Sequence, residues 1–298
     1  MKKENLFEGT GVALITPFNK SHAVDFHTLV KLVNFVVENG VDYIVALGTT
    51  SEAATMSEGE RGAIQDIIVE TVAGRVPIVL GLGGNNTQAV LDAIQQTNFD
   101  GISGILSVTP YYNKPQQRGL LQHFSAIGNS SPVPVIAYNV PGRTGCNMLA
   151  ETTLQLAETC PNIVAVKEAS GNMAQAMEIL RCKPDPFRVI SGDDALTLPM
   201  MAMGASGVIS VVANALPKEM SDMVHFALKG NLKKALPLHY DMLPIMHAIF
   251  EEGNPGGVKA LLEIEGKIDN ALRLPLVKVS KQLSNRISTL YSQLKYNA

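Results

Sequence analysis

Short apolar runs alternate with amphipathic segments along most of the chain. Each of eight runs is followed by a turn rich in Gly, Thr or Asn, and then by a segment with helical periodicity. Alternation of this kind predicts a parallel sheet with helices packed outside it. The predicted strands cover 11–18, 43–48, 77–83, 101–109, 133–139, 163–169, 187–193 and 207–214. The predicted helices cover 26–38, 57–72, 87–96, 117–127, 148–159, 173–181, 195–203 and 218–228.

Eight strand–helix units in about 220 residues are typical of a closed (β/α)8 barrel, the TIM barrel. An open, doubly wound sheet is the alternative, but the GxGxxG turn expected after its first strand is missing. A lone Gly-rich turn at 81–84 follows the third strand instead, which is weak evidence for phosphate binding. Helix ends support the division, because Ser57 and Glu60 have the spacing of a capping box. Glycines follow three predicted helices: Gly40, Gly74 and Gly204.

The pattern changes after residue 229. Three helical segments follow without strands, at about 232–250, 257–265 and 278–294. We therefore expect residues 1–229 to form the barrel and residues 230–298 to form a C-terminal helical region that packs on it.

Composition excludes several classes of protein. The net charge is −3 and charged residues make up 17%, without a basic run, which argues against a nucleic-acid partner. Neither a signal peptide nor a membrane span is expected, because no apolar stretch is long enough. The 3 cysteines have no CxxC spacing, so we expect reduced thiols in a cytoplasmic protein and no metal site.

The most informative residue is Lys167, at the end of the apolar sixth strand. The active site of a (β/α)8 barrel lies at the carboxyl ends of its strands, and a lysine is rarely buried without a stabilising partner. It either reaches to water or pairs with Glu168, or burial lowers its pKa and makes it a nucleophile for a carbonyl. The residues alone leave both alternatives open. Lys278, taken as the only other lysine in an apolar run, is expected on a solvated helix face.

Other strand ends carry polar groups, each with two interpretations. Tyr138 is either a proton relay or a buried tyrosine with a satisfied hydroxyl. Thr49 and Thr50 follow a glycine, where they either bind a carboxylate or form a turn that caps the next helix. Arg143 follows a Pro-Gly pair and either clamps a carboxylate or forms a surface salt bridge.

The remaining strand ends limit the chemistry further. They carry neither His nor Cys, and only Asp193 and Asp194 resemble a carboxylate pair, which argues against a metal centre and a Ser-His-Asp triad. Tyr111 and Tyr112 stand beside Pro110 in a predicted exposed loop, and adjacent exposed tyrosines indicate an interface as often as a site.

From about residue 6 to the C-terminus, the chain resembles the pyruvate-dependent class I aldolase superfamily typified by N-acetylneuraminate lyase. Within it, the chain is most similar to the dihydrodipicolinate synthase family. The resemblance is carried by GVALITPF, GTTSEAAT, TPYYNKP, YNVPGRTG, VAVKEASG, SGDDA, GVISVVAN and NPGGVKALL. Its specific part is YNVPGRT followed by Lys167. Another lyase of the superfamily, acting on N-acetylneuraminate or a keto-deoxy-sugar acid, is the alternative, and Arg143 argues against it.

The resemblance implies condensation of pyruvate with aspartate 4-semialdehyde to 4-hydroxy-tetrahydrodipicolinate, in lysine and diaminopimelate biosynthesis. It implies a Schiff base without an added cofactor, and a homotetramer built as a dimer of dimers. The implied catalytic residues are Lys167 for the Schiff base and a proton relay of Tyr138, Thr49 and a neighbouring subunit's Tyr112. The implied substrate-binding residues are Thr50 for the pyruvate carboxylate, Arg143 for the aldehyde's carboxylate, and Gly192 and the Ile209 backbone in the pocket wall.

Two departures from the family pattern matter. Ser51 replaces a glycine that is usual in this turn, so a positive φ at this position would be strained. The positions matching a lysine effector site are Ala53, Ala54, Glu58, Arg61, Asn85, Ala89 and Tyr111. Ala89 replaces an acidic residue and Arg61 adds a cation, and both changes oppose a cationic ligand. We therefore predict weak or no inhibition by lysine.

Overall fold

A computed structural model describes residues 6–297. Eight parallel strands close into a barrel in chain order, with β1 paired to β8, so the (β/α)8 prediction is confirmed. Each strand is short and almost entirely buried. The strands are β1 Gly9–Ala13, β2 Tyr43–Ala46, β3 Ile78–Gly81, β4 Gly104–Val108, β5 Val135–Asn139, β6 Ile163–Glu168, β7 Arg188–Ser191 and β8 Gly207–Ser210.

Helices connect the strands, and three more follow the barrel. Those up to α9 are α1 Phe26–Glu38, α2 Glu58–Val72, α3 Thr87–Gln96, α4 Gln117–Ser130, α5 Pro141–Thr144, α6 Ala150–Thr159, α7 Met173–Cys182, α8 Thr197–Ala202 and α9 Pro217–Leu228. The C-terminal helices are α10 Leu232–Ala248, α11 Gly256–Ile264 and α12 Lys281–Asn297. Helix α10 packs against α9, and α12 packs against α10 and α11. The division at residue 229 stays a prediction.

The first strand is shorter than predicted and starts earlier. The predicted run 11–18 is apolar, but the ladder covers Gly9–Ala13. The strand ends at Ala13 because Ile15 and Pro17 beyond it offer no backbone donor to a neighbouring strand. The Ile15 amide donates to the Asn214 side chain, and Pro17 has no amide hydrogen. Leu14 and Ile15 are buried all the same, so their apolar character reflects the core rather than the strand.

One helix was not expected. Helix α5, Pro141–Thr144, has only four residues and begins with proline at its first position, where a missing amide hydrogen costs nothing. The capping box of Ser57 and Glu60 is confirmed at the start of α2. Within residues 6–297 the helices include none with both the length and the apolar character needed to cross a bilayer.

Strand register places the important side chains next to one another. Between β5 and β6 the pairing shifts after Val135, and from there Tyr138 lies opposite Lys167. In the next pair, Lys167 lies opposite Ile190 of β7, two residues before Gly192. Tyr138, Lys167 and Gly192 therefore meet at the carboxyl ends of three neighbouring strands.

Candidate active site

A cavity of about 360 Å³ opens at the carboxyl ends of the strands. Six of the sequence-predicted site residues line it: Thr49, Thr50, Tyr138, Arg143, Lys167 and Gly192. A larger cavity of about 790 Å³ lies along residues 269–278 and is lined by other residues, among them Arg273 and Leu274. The chemically diverse groups meet in the smaller cavity, which we take as the candidate active site.

Lys167 is the central group of this cavity. Its side chain is 5% exposed, and burial lowers its pKa to about 7, an effect that Arg143 reinforces and Asp194 opposes. The amine lies 4.3 Å from the centroid of the Tyr138 ring. With a pKa near 7, about half of the amine is neutral at pH 7, whereas an ordinary lysine is almost wholly charged. The structure therefore favours a nucleophilic lysine over one that reaches to water.

Glu168 has other partners than the lysine beside it. Its carboxylate accepts hydrogen bonds from the Asn139 side chain at 3.0 Å, the Gln175 side chain at 3.1 Å and the Ser170 amide at 2.7 Å. Successive residues of a strand point to opposite faces, so Glu168 is turned toward the surrounding helices. The alternative of a Lys167–Glu168 pair is wrong.

Asp193 and Asp194 have separate roles rather than forming a pair. Asp193 accepts from the Ala195 amide at 2.9 Å and so shapes the start of the next helical segment. Asp194 is buried, and its carboxylate accepts from the amides of Val211 at 3.1 Å and Val212 at 2.8 Å. Burial raises the pKa of Asp194 to about 6 despite these bonds. Asp194 is the acidic group that acts on the charge of Lys167.

Tyr138 is linked to Thr49. Burial raises the pKa of the Tyr138 hydroxyl, while the nearby Arg143 cation and a hydrogen bond with Thr49 act in the opposite direction. Tyr138 is 7% exposed, whereas Thr49 is exposed. The Tyr138 ring therefore contacts the buried lysine, and its hydroxyl is connected through Thr49 toward the surface.

Tyr112, the third proposed member of this relay, lies outside the cavity of its own chain. It is 89% exposed and adopts a positive φ of 72° in the loop after β4. Asn85 fixes this loop, because its side chain donates to the Tyr111 carbonyl at 3.1 Å. Tyr112 is therefore presented outward.

The segment after β2 holds Thr50 inside the cavity wall. Thr49–Ser51 forms a single turn of 3-10 helix, and the Ser51 hydroxyl donates to the Gly48 carbonyl at 2.7 Å. The left-handed residue is Glu52, with φ 61°, so the expected strain at Ser51 does not arise. Thr50 is 3% exposed, and its hydroxyl oxygen accepts from the Asn254 side chain at 2.9 Å.

Gly192 makes room for the lysine. A methyl group at this position would stand 3.1 Å from Cε of Lys167 and 2.5 Å from Cβ of Ala169. Arg143, on the short helix α5, is exposed at the mouth of the cavity. Of the β8 residues, Ile209 is buried behind the wall, and Val211 just beyond the strand lines the cavity in its place.

A second lysine is buried, and the sequence analysis did not predict it. Lys259 of α11 is fully buried and forms an ion pair of 2.5 Å with Glu52. The statement that Lys278 is the only other lysine in an apolar run is therefore wrong, since Lys259 lies between Val258 and Ala260-Leu261-Leu262. Lys278 is solvated as expected, but it precedes helix α12 rather than lying on it.

The seven residues matched to an effector site lie on three neighbouring segments. Ala53 and Ala54 belong to the 3-10 turn Ala53–Thr55, and Glu58 and Arg61 lie in the first turn of α2. The others are Asn85, Ala89 in the first turn of α3, and Tyr111. Asn85 and Tyr111 are in direct contact, and both Arg61 and Ala89 are exposed.

In residues 6–297, His, Cys, Asp and Glu side chains form no group of three that would hold a metal ion. The three cysteines are free thiols, two of them buried. The fold and the cavity together define a (β/α)8 barrel with a buried lysine of near-neutral pKa in the cavity at the carboxyl ends of its strands.

Known proteins that are similar to the chain show which family of (β/α)8 barrels it belongs to. The model of the Dihydrodipicolinate synthetase family matches residues 6–294, and the chain belongs to this family. It is 49% identical to the 4-hydroxy-tetrahydrodipicolinate synthase of Flavobacterium psychrophilum, over 97% of this chain and 98% of the relative. It is 50% identical to the Parabacteroides distasonis enzyme of the same name, over 96% and 97%. The crystal structure of dihydrodipicolinate synthase from Aquifex aeolicus matches with a TM-score of 0.93 and 40% identity, over 98% of both chains.

Proposed function

We propose that the chain condenses pyruvate with L-aspartate 4-semialdehyde to 4-hydroxy-tetrahydrodipicolinate, the first committed step of lysine and diaminopimelate biosynthesis. The observation that carries this proposal is a 5% exposed lysine of pKa about 7 at the carboxyl ends of the strands. It stands in a chain that belongs to the matching family along nearly its whole length.

Lys167 forms the covalent bond in this mechanism. Its neutral amine attacks the C2 carbonyl of pyruvate, and the resulting carbinolamine loses water to give an imine. The protonated imine withdraws electrons, so C3 loses a proton and an enamine forms. The enamine carbon attacks the aldehyde carbon of the second substrate. The second substrate's own amine then adds to the imine carbon, closes the ring and releases Lys167.

The proton transfers need a relay, for which Tyr138 and Thr49 are the candidates. The Tyr138 ring lies against the amine of Lys167, and its hydroxyl is hydrogen-bonded to Thr49. A hydroxyl both donates and accepts, so two in sequence pass a proton without either becoming an ion. No cofactor enters this scheme, because the imine itself serves as the electron sink.

Two groups suit the carboxylates of the substrates. Thr50 lines the same cavity as Lys167 and suits the pyruvate carboxylate. Arg143 at the cavity mouth suits the carboxylate of aspartate 4-semialdehyde, because a guanidinium offers two parallel N–H donors. An enzyme that acts on N-acetylneuraminate or a keto-deoxy-sugar acid is the second candidate, and the placement of this cation argues against it.

We further propose a homotetramer, built as a dimer of dimers, in the cytoplasm. The support comes from Tyr112, which is 89% exposed and held in a left-handed conformation. An exposed tyrosine with no place in its own cavity fits a neighbouring subunit, where it would complete the relay of Tyr138 and Thr49.

Borohydride trapping tests the reaction. The protein is incubated with pyruvate, reduced and digested, and the expected product is a peptide carrying a reduced pyruvate adduct on Lys167. Coupled assays then compare pyruvate plus aspartate 4-semialdehyde with N-acetylneuraminate as substrates. An unmodified Lys167 would refute the covalent mechanism, and activity only toward N-acetylneuraminate would favour the second candidate.

A further inference from the structure

Asn254 is a buried polar residue that the mechanism above does not use. It lies between α10 and α11, is 7% exposed and lines the cavity. Its side-chain amide donates to the Thr50 hydroxyl oxygen at 2.9 Å, across 204 residues of sequence. Its Oδ1 atom is buried and finds no hydrogen-bond partner among the described residues. Buried polar atoms are nearly always paired, so this oxygen is open to a water molecule or a hydrogen-bond donor in the cavity, and the contact with Thr50 is made by the amide nitrogen instead.

A second contact joins the same two parts of the chain. Lys259, one helical turn into α11, donates to Glu52 at 2.5 Å and to the Ala271 carbonyl at 2.9 Å. Its amine also lies 4.2 Å from the centroid of the Phe18 ring. Glu52 follows the turn Thr49–Ser51 directly, and it also accepts from the Arg273 amide at 3.0 Å. The turn that carries Thr50 is thus held to the C-terminal region through Thr50 itself and through Glu52, which directly follows the turn.

The hydrogen bond from Asn254 determines whether the Thr50 hydroxyl acts as a donor or an acceptor toward a ligand in the cavity. A hydroxyl has one proton and two lone pairs. When the amide of Asn254 donates to the oxygen, the hydroxyl proton stays available to an acceptor in the cavity. A carboxylate is acceptor-only, so it needs donors aimed at it. The geometry therefore prepares Thr50 as a donor before pyruvate arrives.

We propose that Asn254 is a positioning residue for pyruvate binding, acting through Thr50, and that the Glu52–Lys259 ion pair keeps the two in place. The C-terminal helical region is then part of the pyruvate site rather than a separate support. This inference rests on the proposed function, since it assigns a binding partner to the same cavity.

The test measures pyruvate binding without the second substrate. Borohydride trapping of Lys167 is followed against pyruvate concentration in the wild type, Asn254→Ala and Asn254→Asp. Loss of one orienting hydrogen bond should raise the half-saturating concentration for Asn254→Ala by about five- to tenfold. Asn254→Asp should raise it more, because a carboxylate takes the Thr50 proton and repels the carboxylate of pyruvate. In steady-state assays, the KM for aspartate 4-semialdehyde should stay within twofold of the wild type.

Asn270 provides a matched control. It is also an asparagine of the C-terminal region, 5% exposed, with an unpaired Oδ1, but its amide donates to Glu263 away from this cavity. Asn270→Ala should lose comparable stability in urea unfolding and keep wild-type trapping. In a Thr50→Val background, Asn254→Ala should have no further effect on half-saturation.

Different results would overturn the role of Asn254 and the proposed function. An Asn254→Ala half-saturation within twofold of the wild type, or an effect that adds fully to that of Thr50→Val, overturns the inference. If Asn254→Ala does not fold, the nearly isosteric Asn254→Asp decides, and wild-type trapping by that variant overturns it equally. Failure of the wild type to trap at all refutes the proposed function instead.

Discussion

Replacing Lys167 by methionine should abolish trapping and at the same time stabilise the fold. The pKa of Lys167 is lowered from 10.5 to about 7 by burial. The unfolded chain therefore binds more protons than the folded one between pH 7 and pH 10.5, and the stability of the wild type rises with pH across this window. Methionine has a similar length and no charge, so it removes this penalty without opening a large cavity.

The size of the effect follows from the shift. At pH 6 the penalty is close to its full value, about 5 kcal/mol for a shift of this size. At pH 9 most of it has gone, and about 2 kcal/mol is left. The stabilisation of Lys167→Met over the wild type should therefore shrink by more than half between these pH values. Urea unfolding at a fixed protein concentration measures both differences.

Lys259→Met is the matched control, because its lysine is buried but paired. Removing it leaves the Glu52 carboxylate buried without its cation, which typically costs about 3–5 kcal/mol. The two lysine-to-methionine changes should thus have opposite signs. A Lys167→Met protein that is no more stable than the wild type at pH 6, or whose stabilisation does not depend on pH, would refute the reasoning about the buried amine.

Further changes test the other groups around the cavity. Gly192→Ala places a methyl group 3.1 Å from Cε of Lys167; it should reduce trapping by at least about tenfold and cost about 1–3 kcal/mol in urea unfolding, and normal trapping would contradict the crowding. Arg143→Ala should raise the KM for aspartate 4-semialdehyde by at least about tenfold, and pyruvate trapping should be unchanged when it is measured well above the pKa of Lys167, where loss of the nearby cation no longer alters the protonation of the amine; a rise in the half-saturating pyruvate concentration at that pH instead would assign the cation to the other substrate. Mixing inactive Tyr112→Phe and Lys167→Met subunits should restore activity in about one quarter of the sites, because only mixed pairs bring an intact tyrosine to an intact lysine; no recovery after verified subunit exchange would place Tyr112 outside the relay. Titration with lysine should show weak or no inhibition, since Arg61 opposes a cationic ligand, and half-inhibition at sub-millimolar lysine would contradict this.

Local signals predicted the helices better than the first strand. The bounds of α1 and α3 agree with the structure because Asp25 and Asn86 cap them, each by accepting from the amide three residues later. The end of β1 depends on Asn214, a residue from the far end of the barrel, whose side chain takes the Ile15 amide. Apart from Pro17, which has no amide hydrogen, the neighbouring sequence carries no signal for the end of this ladder.

The site residues also fall into two groups: those that local sequence signals predict and those that depend on partners far away in the sequence. Lys167 and Tyr138 were found because strand ends of a barrel converge, and the alternation of side chains then places them on one face. Asn254 and Lys259 received no role, although NPGGVKALL is part of the family resemblance. Their partners stand 204 and 207 residues away, and choosing among distant polar groups needs the tertiary structure. The apolar neighbours of Lys259 were the signal that could have indicated its burial.

The long separation between Glu52 and Lys259 also orders events during synthesis. At about 5–20 residues per second, about 10–40 s pass between the emergence of the two residues from the ribosome. Until α11 is made, the turn that carries Thr50 has neither its ion pair nor its contact with Asn254. A nascent chain that already contains Thr50 and Lys167 therefore lacks Asn254 and Lys259, the residues that hold the turn of Thr50 in place. Under the proposed role of Asn254, the pyruvate site is therefore completed only when the last quarter of the polypeptide has been made.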